Sequence, residues 1–163
     1  MGYAAGDTVV HPRHGVARIE GIETRGAGEG RTSFLELACA AGPLRILVPV
    51  GAVEEIGIRH LPTRREAASI LGVLAQPSDV PEAWSERNAL TTSRIASTEL
   101  AQASMVVRDL TRHSQRSGKA LSSAEQADLE TCLRSVASEL SIVLELSDGE
   151  ARDLILEAAQ SAS

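Results

Sequence analysis

The sequence predicts an α+β protein: a small, strongly bent sheet or partly open barrel over residues 1–62, then a compact domain of about five helices over residues 63–163. Three observations carry this. Apolar residues recur with a period near 2 before Pro62 and near 3.6 after it. Glycine and proline punctuate the first part every few residues, whereas helix-capping residues punctuate the second. At 163 residues, 43% of them hydrophobic, the chain can bury either one core or two small ones.

The strands come first. Asp7-Thr8-Val9-Val10 precedes a turn, His11-Pro12-Arg13-His14-Gly15. Val16 to Ile22 then alternates apolar with polar or small residues, as a strand with one buried face should. Gly26, Gly28 and Gly30 mark a hairpin tip, and Phe34–Ala38 and Leu44–Pro49 supply two further strands. Val53-Glu54-Glu55-Ile56 is too short to assign.

The helices follow. Arg64–Ala75 places Ala67, Ile70, Leu71 and Leu74 on one face and is broken by Gln76-Pro77. A second helix is expected from Pro81, as a first-turn proline, to about Ala96. A third runs from Thr98, as its cap, to about Ser117, with Gly118 as its stop. A fourth, Ser123–Leu146, opens on a Ser-Ala-Glu-Gln capping box and lines up Leu129, Leu133, Val136, Leu140 and Val143. Asp148 to about Gln160 makes the fifth.

Composition narrows the function. No apolar run approaches the roughly 20 residues of a membrane helix, and a signal peptide's basic and apolar stretches are missing, so a cytoplasmic protein without membrane contact is expected. Cys39 and Cys132 lie far apart, outside any CxxC, as two reduced and buried thiols would. His11 and His14 have no Cys or acidic partner in a ligand pattern, which favours hydrogen-bonded turn histidines over a metal pair. GxSxG is absent, and the glycines at 26–30 precede no helix that could hold a phosphate. The expectation is a non-enzyme without metal or cofactor.

The net charge of -6 argues against a general nucleic-acid coat. Its distribution is uneven. Between residues 85 and 119 six basic residues (Arg87, Arg94, Arg108, Arg112, Arg116, Lys119) face three acids, for +3; from residue 120 onward two basic residues face nine acids, for -7. A polyanion contact therefore belongs in the central segment. Arg108, Arg112 and Arg116 recur every four residues as a cationic stripe, expected opposite Leu100, Val107 and Leu110. Trp84, the sole tryptophan, stands just before this segment at a loop-to-helix boundary, a place that suits a partner anchor as well as a packed helix start. A planar apolar wedge among arginines suits contact with DNA through the minor groove.

These features resemble the CarD/CdnL family of bacterial RNA polymerase-binding transcription regulators, whose N-terminal module is shared with the transcription-repair coupling factor. The resemblance rests on Gly6-Asp7-Thr8-Val9-Val10-His11-Pro12-Arg13-His14-Gly15, supported by Ile22–Arg25, Val48-Pro49, Ala83-Trp84-Ser85 and Val106–Leu110. It implies a Tudor-like β domain docking on the polymerase β-subunit lobe and a helical domain that meets promoter DNA. It further implies that Trp84 wedges into the minor groove at the upstream bubble edge and stabilises the open complex. Arg25 matches a lobe-binding arginine; a second such arginine falls on Leu47, with Arg45 two residues earlier able to substitute. On the DNA side Trp84 and Arg87 match, and Arg94 stands where a basic residue is common, with Arg108, Arg112 and Arg116 beyond. Glu86 and Ala89 depart from positions often basic, which lowers phosphate attraction. The expectation is a monomeric regulator with sequence-nonspecific DNA contact that is weak without polymerase, nucleoid-associated through that enzyme. The alternative is a polymerase-binding adaptor whose acidic helical domain serves another protein.

Overall fold

The computed structural model describes residues 2–161. The chain divides into two compact units, residues 1–61 and 62–163. In the first, β1 (Thr8–His11), β2 (Gly15–Arg25), β3 (Thr32–Cys39), β4 (Arg45–Pro49) and β5 (Arg59–His60) form one antiparallel sheet in the order β4-β3-β2-β1-β5. The β2–β3 connection passes through a single 3-10 turn at Gly28–Gly30. Gly26 is required there: its φ is 96°, and a Cβ would fall 2.4 Å from the Gly30 carbonyl oxygen.

The inner face of the sheet carries Val9, Ala17, Ile19, Leu35, Leu37 and Val48, which pack with Val53 and Ile58 into a core of their own. Val53 belongs to α1 (Val53–Ile56), so the segment too short to assign is one helical turn, ended by Gly57 at φ 88°. The two-residue β5 had no sequence signal; it exists because pairing with β1 aligns Val9 with His60 and Val10 with Arg59.

A β-bulge interrupts β2. Ile19 pairs with Leu37 and Gly21 with Glu36, leaving Glu20 as the extra residue. Because side chains alternate along a strand, one inserted residue exchanges the faces of everything after it. Arg18 points outward before the bulge, whereas Gly21, Glu23 and Arg25 point outward after it, aligned with Glu36, Phe34 and Thr32.

The second unit holds α2 (Arg64–Ala75), α3 (Trp84–Ala96), α4 (Leu100–Ser117), α5 (Ser123–Leu144) and α6 (Asp148–Gln160). Three of them begin with complete capping boxes, Thr63 with Glu66, Ser122 with Glu125 and Ser147 with Glu150. Ala67, Ile70 and Leu74 of α2, Val107 and Leu110 of α4, Leu133, Val136 and Leu140 of α5, and Ile155 of α6 form the core. Full burial of each large aliphatic chain contributes about 1.5–3 kcal/mol. Leu129 and Val143 pack at its margin, as the α5 face predicts.

Several boundaries differ from the sequence expectation. Helix α3 begins at Trp84, after an extended Ala83, so Pro81 belongs to the preceding loop. Helix α4 begins at Leu100 behind an extended Glu99, so Thr98 is not its cap, while Gly118 ends it at φ 63° as expected. The α5 cap is Ser122, one residue earlier, because Glu125 three residues on closes the box; the helix ends at Leu144, with Glu145 as its C-terminal cap held left-handed at φ 57°.

Helix α4 departs most. It packs against α2, α3, α5 and α6, and every residue from Val106 to Arg112 is buried. No solvent face remains there for a cationic stripe. Arg108 and Arg112 are instead 7% and 6% exposed, and Arg116 alone of the three is exposed.

Candidate functional site

Two surfaces hold the residues singled out from sequence, one in each unit. On the outer face of the sheet, Glu36 pairs with Leu47, Phe34 with Pro49 and Ala38 with Arg45. Arg45, Leu47, Glu36 and Phe34 therefore share that face, and the bulge in β2 brings Arg25 to it as well. Arg25 lies with its guanidinium carbon 5.9 Å from the centre of the Phe34 ring. It donates two hydrogen bonds to Glu23, each 3.1 Å. The Glu23 contact raises the Arg25 pKa, and the Arg25 bond lowers that of Glu23. Arg45 bridges Glu20 at 2.9 Å and Glu36 at 3.1 Å. The side chains of Arg25 and Arg45 are 57% and 63% exposed, and Leu47 is an exposed large hydrophobic residue. The result is a surface of two arginines flanking an aromatic ring and an apolar patch on strands β2–β4, suited to a partner bearing carboxylates.

The second surface is the α3 N-terminus. Trp84 is the first residue of the helix and 52% exposed, the most exposed of the large hydrophobic residues. Its N-cap residue is Ala83, which makes no side-chain capping hydrogen bond. Around Trp84 the exposed neighbours are Glu82, Ala83, Ser85, Glu86 and Ala89.

Four of the five arginines grouped with Trp84, all but Arg116, are turned into the fold. Arg87 is 5% exposed; its Nε donates to Glu125 at 2.7 Å, and its Nη1 donates to the Pro81 and Glu82 carbonyls at 3.1 and 2.7 Å. Burial pushes the Glu125 carboxyl pKa up, but the Arg87 and Ser122 hydrogen bonds outweigh it and the net shift is downward. Arg94 and Arg108 converge on the buried Asp109, which also accepts a 2.6 Å bond from the Ser78 hydroxyl. Arg112 donates to the carbonyls of Leu74, Gln76 and Ala159. These oxygens lie at or near the C-terminal ends of α2 and α6, where carbonyls lack intrahelical donors and attract cations. Sequence periodicity could not reveal this, because the partners come from other helices.

The remaining candidates resolve simply. Cys39 and Cys132 are both free and buried, and desolvation raises the Cys132 pKa to about 11. His11 accepts a hydrogen bond from the Arg13 backbone N–H at Nδ1, and its ring lies 4.7 Å from that of His14. Among the described residues no cluster of three or more His, Cys, Asp or Glu could hold a metal ion, and no helix is long and apolar enough to cross a membrane.

Comparison with known proteins accounts for both units. Residues 3–61 match the CarD-like/TRCF RID domain, and residues 69–156 match the CarD C-terminal domain. The chain belongs to the CarD family. It is also 25% identical over 142 residues to "Putative transcription factor YdeB" of Bacillus subtilis (strain 168), covering 86% of this chain and 92% of that protein. CarD-like proteins are transcription regulators, not known enzymes, and membership makes RNA polymerase the partner to consider for the sheet.

Proposed function

We propose that this CarD-family chain acts in the cytoplasm as a monomeric, non-enzymatic regulator, docking on the RNA polymerase β subunit through the outer face of its Tudor-like sheet. Arg25, Arg45 and Leu47 form the contact. The helical unit then presents Trp84 to the minor groove at the upstream edge of the promoter bubble. Inserted there, the indole binds the opened state in preference to the closed one, and that difference in affinity prolongs the open complex.

The observation that carries this reading is the half-exposed Trp84 in a unit whose other large apolar side chains are mostly buried or partly buried. Leaving so large an apolar ring in water is unfavourable unless a partner covers it. Of the five arginines expected at the DNA, Arg116 is the exposed one; Arg87, Arg94, Arg108 and Arg112 act as internal struts. DNA contact then depends on stacking and on delivery by polymerase, with few phosphate neutralisations and a shallow salt dependence.

The test is promoter open-complex lifetime with and without the protein, for wild type, Trp84→Ala and Arg25→Glu. Trp84→Ala should shorten the lifetime while polymerase still captures the protein, and Arg25→Glu should lose capture. Unchanged lifetime with Trp84→Ala and intact docking sinks the wedge. Glu82 and Glu86, exposed on either side of Trp84, favour a second reading, a polymerase-bound adaptor with little DNA contact. A footprint lacking protection at the upstream bubble edge at low salt would select it.

A further inference from the structure

The Arg87–Glu125 pair stands where Trp84 needs a foundation. Helix α3 begins without a side-chain cap, and an uncapped first turn frays. Trp84 occupies that turn. Its backbone setting is instead fixed by Arg87, three residues on, which reaches back to the carbonyls of Pro81 and Glu82 with one nitrogen and across to Glu125 with another. Glu125 is itself held at both oxygens: its second carboxylate oxygen accepts bonds from the Ser122 backbone N–H at 3.0 Å and the Ser122 hydroxyl at 2.9 Å, so the same side chain closes the α5 capping box. The approach to α3 is pinned further back by Ser78, bonded to Asp109.

We propose that Arg87 and Glu125 are positioning residues for Trp84, a pair that orders the α3 start so the indole is presented in one orientation, and that Arg87 is not a phosphate contact. This rests on the reading of Trp84 as the DNA-contacting residue. The physical reason is preorganisation: a side chain ordered before binding loses less freedom on insertion, and a planar guanidinium can hold a carboxylate and two carbonyls at once where an ammonium cannot reproduce the fork.

Trp84 reports on itself, being the sole tryptophan. The first measurement is time-resolved fluorescence anisotropy of the free, full-length protein, wild type against Glu125→Gln. Gln at this position keeps the capping box while removing the charge that holds Arg87. A larger fast-decaying component is expected, together with an open-complex lifetime shortened about threefold to tenfold. In a Trp84→Ala background the same substitution should add nothing to the loss. If burial of the uncompensated arginine unfolds the unit, Arg87→Lys is the variant, since it keeps a cation beside Glu125. Positioning predicts that Arg87→Lys loosens Trp84 and shortens the lifetime; a phosphate contact predicts that both are retained. Arg87→Ala discriminates again, because loss of a phosphate contact lowers the salt slope by about one, whereas loss of positioning leaves the slope unchanged.

Unaltered Trp84 anisotropy in folded Glu125→Gln and Arg87→Lys overturns the positioning role, as does a reduced salt slope for Arg87→Ala. Failure of the wedge is separately visible, since it leaves Trp84→Ala without effect at the promoter while the anisotropy measurement needs neither DNA nor polymerase.

Discussion

On the sheet, Arg25 and Arg45 stand more than half exposed and bond carboxylates of their own face. In the helical unit Arg87, Arg108 and Arg112 are less than a tenth exposed and bond mainly groups outside their own helix, most of them backbone carbonyls, with Asp109 beside Arg108 the exception. The residue type is the same and the consequences are opposite. A guanidinium in water with a surface partner is nearly neutral for stability and can exchange that partner for another protein's carboxylate. A guanidinium inside the fold satisfies acceptors that nothing else reaches, and its removal leaves them buried and unpaired. Charge counted along the chain therefore says little about charge presented to a partner: the central +3 segment presents few of its arginines.

The largest effect that could break this comparison is at Asp109. Asp109→Ala should destabilise the helical unit by about 3–5 kcal/mol, because Arg94 and Arg108 lose the carboxylate they converge on. Urea unfolding followed by helical circular dichroism measures it. A loss below about 1 kcal/mol would make the inner arginines as dispensable as a surface pair and erase the distinction.

Acidification should separate the units next. His11 has its pKa lowered from 6.5, by burial first and by His14 and Arg13 after it, so the folded sheet favours the neutral ring. The stability this gives is present above 6.5 and is lost as pH falls through the lowered value. Glu125 is lowered from 4.5, where burial opposes and the Arg87 and Ser122 bonds prevail. Its contribution is present above 4.5 and is lost only as pH falls below that. Hydrogen exchange resolved by region on the full chain should show β1 loosening at a higher pH than the α3–α5 contact. Simultaneous loosening of both would show that these two groups do not set the acid response.

The architecture was legible because it depends on local pattern. Ala67, Ile70 and Leu74 lie inward at helical spacing as read, Gly26 and Gly118 stand where turns need left-handed backbone, and Leu133, Val136 and Leu140 line the α5 face. What escaped was everything set by a third element. The α4 stripe looked solvent-facing because one helix shows only its own periodicity, whereas Arg112 is held by the ends of α2 and α6. The Glu20 bulge escaped too, though it decides that Arg25 shares a face with Arg45 and Leu47, since a regular β2 would have turned Arg25 inward. Trp84 was legible as a boundary residue, but its anchor, Glu125, lies 38 positions from Arg87 with nothing in the spacing to join them.

The smallest expected change in stability sharpens the contrast from the other side. Arg45→Ala removes two surface ion pairs, to Glu20 and Glu36, and leaves both carboxylates in water, so unfolding should shift by less than about 1 kcal/mol. On the proposed docking face the same substitution should weaken polymerase capture and steepen its dependence on Arg25, because one of two cations is gone and two uncompensated acids remain to repel a carboxylate-bearing partner. Glu36→Gln should do the reverse, freeing part of the Arg45 guanidinium for the partner and strengthening capture at low salt. Pull-down of RNA polymerase across a salt series measures both. If Arg45→Ala costs stability on the scale of Asp109→Ala, the outer arginine is holding the sheet together, and the opposition between the two surfaces fails at its simplest point.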